Sequence, residues 1–215
     1  MKKHPVASIF FACVAACLLL SLAGSNASTA ASPSLRYRID AGKSRFIVQV
    51  FRSGIFKVFA HDHTIQIRDF SGEALITPGS LSPASLQLTI RADSLSVIDK
   101  VSDSDRREIE ATMRNQVLET AKYPEITFKA TQIEAERRGE GDYTARIWGE
   151  LTLHGVTKGM QIVSRVEFGD NIMRATGNFT LKQTDYKITP VSVAGGTVRV
   201  KDEIKFTFDI AALRQ

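Results

Sequence analysis

Residues 145–153 read Ala-Arg-Ile-Trp-Gly-Glu-Leu-Thr-Leu, and His154-Gly155-Val156-Thr157 follows. Ala145, Ile147, Gly149, Leu151 and Leu153 fall at every second position, with Arg146, Trp148, Glu150 and Thr152 between them. Successive side chains of a strand point to opposite faces, so this spacing sets a largely apolar face against a polar one. A helix would place its apolar residues three and four apart. The segment therefore reads as a long, half-buried strand that runs into a turn at His154-Gly155.

The same period recurs on both sides. Downstream it is carried by Ile162, Ser164, Val166 and Phe168, by Met173, Ala175, Gly177, Phe179 and Leu181, and by Ile204, Phe206, Phe208 and Ile210. Upstream it is carried by Phe46, Val48 and Val50, by Ile65 and Ile67, and by Leu86, Leu88 and Ile90. Turn signals separate the runs at Pro78-Gly79, Arg138-Gly139-Glu140-Gly141-Asp142, Gly169-Asp170-Asn171 and Ala194-Gly195-Gly196. One stretch, Asp103 to Thr120, predicts a helix. Ile109, Met113 and Val117 recur every four residues, Ser102 or Ser104 can cap its start, and Pro124 stops it. Its charges, Asp103, Asp105, Arg106, Arg107, Glu108 and Glu110, read as a solvated face. The fold class is all-β with one short helical segment. Strands this long suit an extended antiparallel β-barrel, which closes the sheet and removes its edges. No break in composition divides residues 35–215, so they read as one domain.

The 215 residues are 43% apolar and 24% charged, with 14 Gly and 6 Pro, which excludes collagen-like, low-complexity and wholly disordered classes. A formal charge of +5 is modest, and the basic residues are scattered among acids without interleaved aromatics, so nucleic acid is not an expected partner. Residues 1–27 differ from the rest: Lys2 and Lys3 precede an apolar run from Val6 to Ala23, and small residues follow. This is the pattern of a secretory signal peptide, cut after Ala27 with Ser25 and Ala27 at the small-residue positions, or alternatively after Ala31. A retained membrane anchor is the rival reading. Val14-Ala15-Ala16-Cys17 resembles a lipobox, but the apolar Leu18-Leu19-Leu20 follows it in place of a polar tether. Cleavage would remove Cys13 and Cys17, the only cysteines, leaving an exported protein with no thiol chemistry.

Motifs for catalysis are missing: the chain has no Gly-rich phosphate loop, no Gly-x-Ser-x-Gly elbow and no His-Glu-x-x-His helix. Two features stand out. In His61-Asp62-His63 the histidines share a strand face about 6.6–7 Å apart, so with His154 or Asp62 as a third ligand they are candidates for a metal site. The competing reading is hydrogen bonding at a strand start. The other feature is the set Phe46, Phe51, Phe56, Phe59, Phe70, Phe128, Phe168, Phe179, Phe206 and Phe208. These rings either fill a barrel or line a cavity for one ligand, and alternation alone does not separate the two.

Several segments, in order and spacing, resemble the YceI-like family of polyisoprenoid-binding, lipocalin-like periplasmic proteins. They are Tyr37-Arg38-Ile39-Asp40 with Ser44-Arg45-Phe46, then Phe70-Ser71-Gly72, then Tyr123-Pro124-Glu125-Ile126-Thr127-Phe128, and finally Gly149-Glu150-Leu151-Thr152-Leu153-His154-Gly155-Val156-Thr157-Lys158. The chain departs from the family pattern where Tyr37 stands for Trp, and where Gln183-Thr184-Asp185-Tyr186-Lys187 replaces Arg-x-Asp-Phe-Gly. His61-Asp62-His63 reads as a branch feature. The resemblance implies a lipocalin-like barrel whose interior holds a long-chain isoprenoid or other lipid, with no catalytic machinery and no cofactor. Transient membrane contact, and a monomer or homodimer, are the expected associations. The wall candidates are Phe46, Val48, Val50, Leu86, Leu88, Ile90, Phe128, Phe179, Phe206 and Phe208, and a one-residue slip would turn the whole set outward. The alternative function is metal binding by His61 and His63, with His154 as third ligand.

Overall fold

The computed structural model describes residues 34–53, 62–77, 84–193 and 198–215. The signal-peptide reading, His61, Phe56, Phe59, and the turns at Pro78-Gly79 and Ala194-Gly195-Gly196 lie outside the described residues.

Among the described residues, twelve strands and one α-helix succeed one another. They are β1 (Leu35–Ile39), β2 (Arg45–Ser53), β3 (His63–Ile67), β4 (Phe70–Ile76), β5 (Ala84–Arg91), β6 (Leu95–Val97), α1 (Asp103–Thr112), β7 (Glu125–Gly139), β8 (Asp142–Leu153), β9 (Val156–Phe168), β10 (Ile172–Lys182), β11 (Ser192–Val193) and β12 (Val198–Arg214). Their order in space is β1-β4-β5-β7-β8-β9-β10-β12, and β12 pairs back onto β1, so eight antiparallel strands close a barrel. The expected fold class is the observed one.

One edge of β12 carries β10 along its length, from Leu213 to Glu203. Its other edge is shared. Ala212, Leu213 and Arg214 pair with β1, whereas Arg199 to Asp209 pair with β2, across a bulge between Val200 and Ile204. The kink between β1 and β2 is a short 3₁₀ turn, Ala41–Lys43, whose start Asp40 caps by accepting from the Lys43 amide. There the ladder is continued by substitutes: the Asp40 amide donates to the Ala211 carbonyl at 2.9 Å, and the Ala211 amide donates to Ser44 Oγ at 2.9 Å. Beyond β2 the sheet extends through β3 to β6.

The helix begins where the sequence predicts, with Ser102 Oγ accepting from the Asp105 amide at 3.1 Å. It ends earlier: α1 stops at Thr112 and a single wider π-type turn covers Met113–Val117. The solvated-face reading needs a correction for two of its six charges. Glu110 accepts from the Val97 amide and the Ser96 hydroxyl, both at 3.0 Å, and Arg106 donates to the carbonyls of Val97 and Asp99. β6 lies at the end of the sheet, where its backbone groups lack a further strand, and these two side chains take that strand's place. Asp103, Asp105, Arg107 and Glu108 are exposed as expected.

Candidate ligand cavity

Along β8, burial follows the sequence period: Ala145, Ile147, Gly149, Leu151 and Leu153 are buried, and the residues between them are not. Around the rest of the barrel the inward set is buried or half-buried, and it does not fill the interior. It surrounds a cavity of about 540 Å³, a volume typical of small-molecule sites. Sequence period could not distinguish a filled barrel from a hollow one; the structure is hollow.

All ten wall candidates line this cavity: Phe46, Val48 and Val50 from β2, Leu86, Leu88 and Ile90 from β5, Phe128 from β7, Phe179 from β10, and Phe206 and Phe208 from β12. Register brings them together. Phe46 pairs with Phe208, Val48 with Phe206, and Phe179 with Phe206 across their ladders, while Leu88 pairs with Phe128. Phe179 stacks on Phe206 with centroids 4.7 Å apart, and Phe46 meets Phe206 and Phe208 edge-on at 6.2 and 6.3 Å. Edge-to-face and offset pairs of this kind stabilise beyond burial alone. Phe168 also lines the cavity, whereas Phe51, one residue out of phase on β2, faces away with the Lys201 ammonium over its ring.

Part of the lining was not legible in strand periodicity. Ile109, Met113, Val117 and Leu118, from α1 and the turn after it, close over the barrel, so the four-residue spacing seen in the sequence marks a helix face turned to the cavity. Arg52 continues the inward series of β2, and Arg199 joins it from β12. Arg52 bonds Asp62 through its backbone amide at 3.1 Å and its side-chain Nε at 3.3 Å. Asp105 and Glu108 of α1 face the same space. Gln183, first residue of a short 3₁₀ turn after β10, is 5% exposed and lines the cavity. Its Nε2 donates to the Lys201 carbonyl at 2.9 Å.

The two histidines inside the described residues are committed to different partners. His63 lines the cavity and its Nδ1 lies 3.0 Å from Asp99, a carboxylate that also accepts from the Thr64 amide. His154 sits in the two-residue β8–β9 turn, where both it and Gly155 have positive φ, 51° and 71°, as a type I′ hairpin requires. Its Nε2 is 2.6 Å from Glu119 and its Nδ1 3.2 Å from the Tyr186 carbonyl, and its ring packs on Tyr123 at 4.5 Å. Burial raises the Tyr186 phenol above its ordinary pKa. Among the described residues no group of three His, Cys, Asp or Glu is placed to hold a metal. His63 and His154 are thus held by separate partners, and His61, the other histidine of the metal reading, lies outside the described residues.

Two of the quoted sequence segments meet at this corner. A Cβ on Gly155 would lie 2.5 Å from the Tyr123 ring, and one on Gly149 would lie 2.4 Å from that of Phe128. Tyr123 and Phe128 come from the Tyr-Pro-x-Ile-x-Phe run, Gly149 and Gly155 from the run ending in His-Gly. Their co-occurrence is a packing requirement.

Residues 37–212 match the YceI-like domain. A UPF0312 protein of Shewanella sp. strain ANA-3 is 31% identical over 130 residues, 57% of this chain and 62% of that protein. A second from strain MR-7 matches to the same extent, so the chain spans under two thirds of the length of these curated relatives. Among solved structures, Burkholderia cenocepacia BcnA superposes with a TM-score of 0.62 at 17% identity, over 80% of this chain and 98% of that one. A polyisoprenoid binding domain from Saccharophagus degradans, implicated in plant cell wall breakdown, superposes with a TM-score of 0.61 at 18% identity, over 84% and 99%. At such identities the likeness is one of fold.

Proposed function

The chain belongs to the YceI-like domain family, and from that membership we propose that it is a periplasmic, non-catalytic carrier or sequestering protein for a polyisoprenoid or other long-chain lipid. The observation that carries this reading is the cavity of about 540 Å³ inside a closed barrel, walled by aliphatic and phenylalanine side chains. A lipid tail entering it leaves water along its whole length, at about 0.8 kcal/mol per buried methylene before the costs of association. The Saccharophagus degradans neighbour, a polyisoprenoid binding domain, supports the same ligand class. Export rests on the signal-peptide pattern of residues 1–27. The non-catalytic part rests on the family match.

Native mass spectrometry of the protein purified from a periplasmic fraction, followed by organic extraction, tests the reading. The expected result is a discrete adduct whose extract contains an isoprenoid or fatty species. Leu88→Arg places a charge among the cavity wall and should lower lipid occupancy at least about tenfold in protein that still folds, because an unpaired charge there is costly. Unchanged occupancy in folded Leu88→Arg, or a bare mass under conditions that retain lipid on a control protein, would overturn the proposal.

A further inference from the structure

β9 and β10 are paired over only part of their lengths. Their ladder runs from Met173 opposite Phe168 to Gly177 opposite Ser164, and ends there. β9 nevertheless extends back to Val156 against β8, and β10 extends on to Lys182 against β12. Each strand stays paired on its other side while the two part, so a seam separates residues 159–162 from residues 179–182. No turn or side-chain hydrogen bond among the described residues reaches the backbone of 160–162 or 179–181. At the last pair, a Cβ on Gly177 would lie 2.7 Å from the Val163 carbonyl oxygen, so the missing side chain lets β10 close on β9. At the far end, Lys158 of β9 donates to Asp185, in the 3₁₀ turn after β10, at 2.8 Å. Between these ends the seam is about 15 Å long at the rise of an extended strand.

The seam opens on the cavity. Met160 and Ile162 on one lip, and Phe179 and Leu181 on the other, line it. Where the ladder holds, Ser164 and Val166 are buried; beyond it Met160 and Ile162 are only half-buried. Val163, where the strands part, is the large apolar side chain exposed among the described residues, at 50%. Gln161, Asn178 and Thr180 are exposed on the outer side.

Resting on the carrier reading above, we propose that this seam is the doorway of the cavity and the seat of the lipid's polar end. The tail passes between the lips to the stacked rings of Phe179 and Phe206, and the head group stays in the seam. There it meets two strand edges whose N–H and C=O groups have no strand beside them, together with the Gln161, Asn178 and Thr180 side chains. That chemistry fits an oxygen-bearing head group, since a hydrocarbon end would leave polar backbone facing an apolar surface. Widening the seam breaks no ladder bond, and the Lys158–Asp185 pair at its end is exposed and weak. Passage between β8 and β9, by contrast, would break a ladder that runs from Asp142 to Leu153.

A farnesol analogue with a diazirine beside its hydroxyl, bound to the wild-type protein and irradiated, reads where that end lies. Adducts should fall in residues 159–163 or 178–182, and excess farnesol should suppress them. A bismaleimide bridge joining Gln161→Cys to Thr180→Cys should then slow farnesol exchange at least about tenfold, because any other route breaks ladder hydrogen bonds. The reference is the same variant capped with N-ethylmaleimide. Cys13 and Cys17 do not interfere, since both fall in the proposed signal peptide. The photolabel needs no variant and is read first. Adducts confined to other segments, or none on either lip, would overturn the doorway, as would unchanged exchange in bridged protein that binds farnesol. Each of these leaves the carrier reading standing. Failure of both farnesol and its analogue to bind would overturn both.

Discussion

His154 and Gly155 show how much one turn can fix. The turn needs positive φ at both positions, and only the second is a glycine. The histidine tolerates that backbone because its ring is held by Glu119, the Tyr186 carbonyl and Tyr123. Gly155→Ala should combine a left-handed-backbone penalty of about 1–2 kcal/mol with a clash against Tyr123, and lower the melting temperature by about 5–10 °C. A thermal melt unchanged from wild type would refute this account of the corner. On the outer face, Arg174 holds Asp209 by two hydrogen bonds of 2.6 Å and keeps its carboxyl below the ordinary range. A depressed carboxylate stabilises above its unfolded pKa and loses that contribution as pH falls through the folded one. Asp209→Asn should therefore cost about 1–3 °C at neutral pH, as befits a half-exposed pair, and melt like wild type once both carboxyl forms are protonated in acid. At this scale the wall was readable, since a strand's period assigns each side chain a face. Gln183 was not: its burial comes from a 3₁₀ turn, and no periodicity spans four residues.

Among the elements, α1 departs most from its sequence. Charge alone reads Arg106 and Glu110 as solvated, because the partner they need is a strand edge brought up by tertiary structure. Its docking is largely polar, with no residue of α1 itself fully buried, and the helix forms one side of the cavity. Arg106→Ala with Glu110→Ala should leave β8 and β9 amides protected. It should speed hydrogen exchange of α1 and β6 amides by at least about 10-fold, since four side-chain hydrogen bonds to that edge are lost. Equal protection of α1 in both proteins would show that its apolar face holds it unaided. Periodicity read β2, β3, β5, β8, β9, β10 and β12 but not β1, β4 or β7 of the barrel, and β9 and β12 each begin six residues before the run that marked them. The wider turn at Met113–Val117 carries no comparable signal in side-chain pattern.

For the whole molecule, closure followed from strand length and hollowness did not. A dry cavity and a solid core are walled by the same residue types, so only coordinates separate them. If the interior is a binding site, ligand and fold are linked: lipid at 100 times its dissociation constant should stabilise by about 2.7 kcal/mol and raise the melting temperature by about 5–10 °C. A melt insensitive to bound lipid would place that lipid on the outside of the barrel.

The shared edge of β12 has a consequence for timing. β12 comes after β1, β2 and β10 in chain order, yet it joins all three. Until it is laid down, the strands before it form an open sheet with nothing to seal the lumen, and the contact with β1 bridges almost the full length of the domain. Such distant pairings make folding slow, and any state before β12 docks leaves the wall as an open trough. That trough, with its phenylalanines uncovered, is the state in which a lipid tail meets the least resistance to entry. Cargo present during folding would be enclosed as the last strand docks, whereas cargo offered later meets a wall already built.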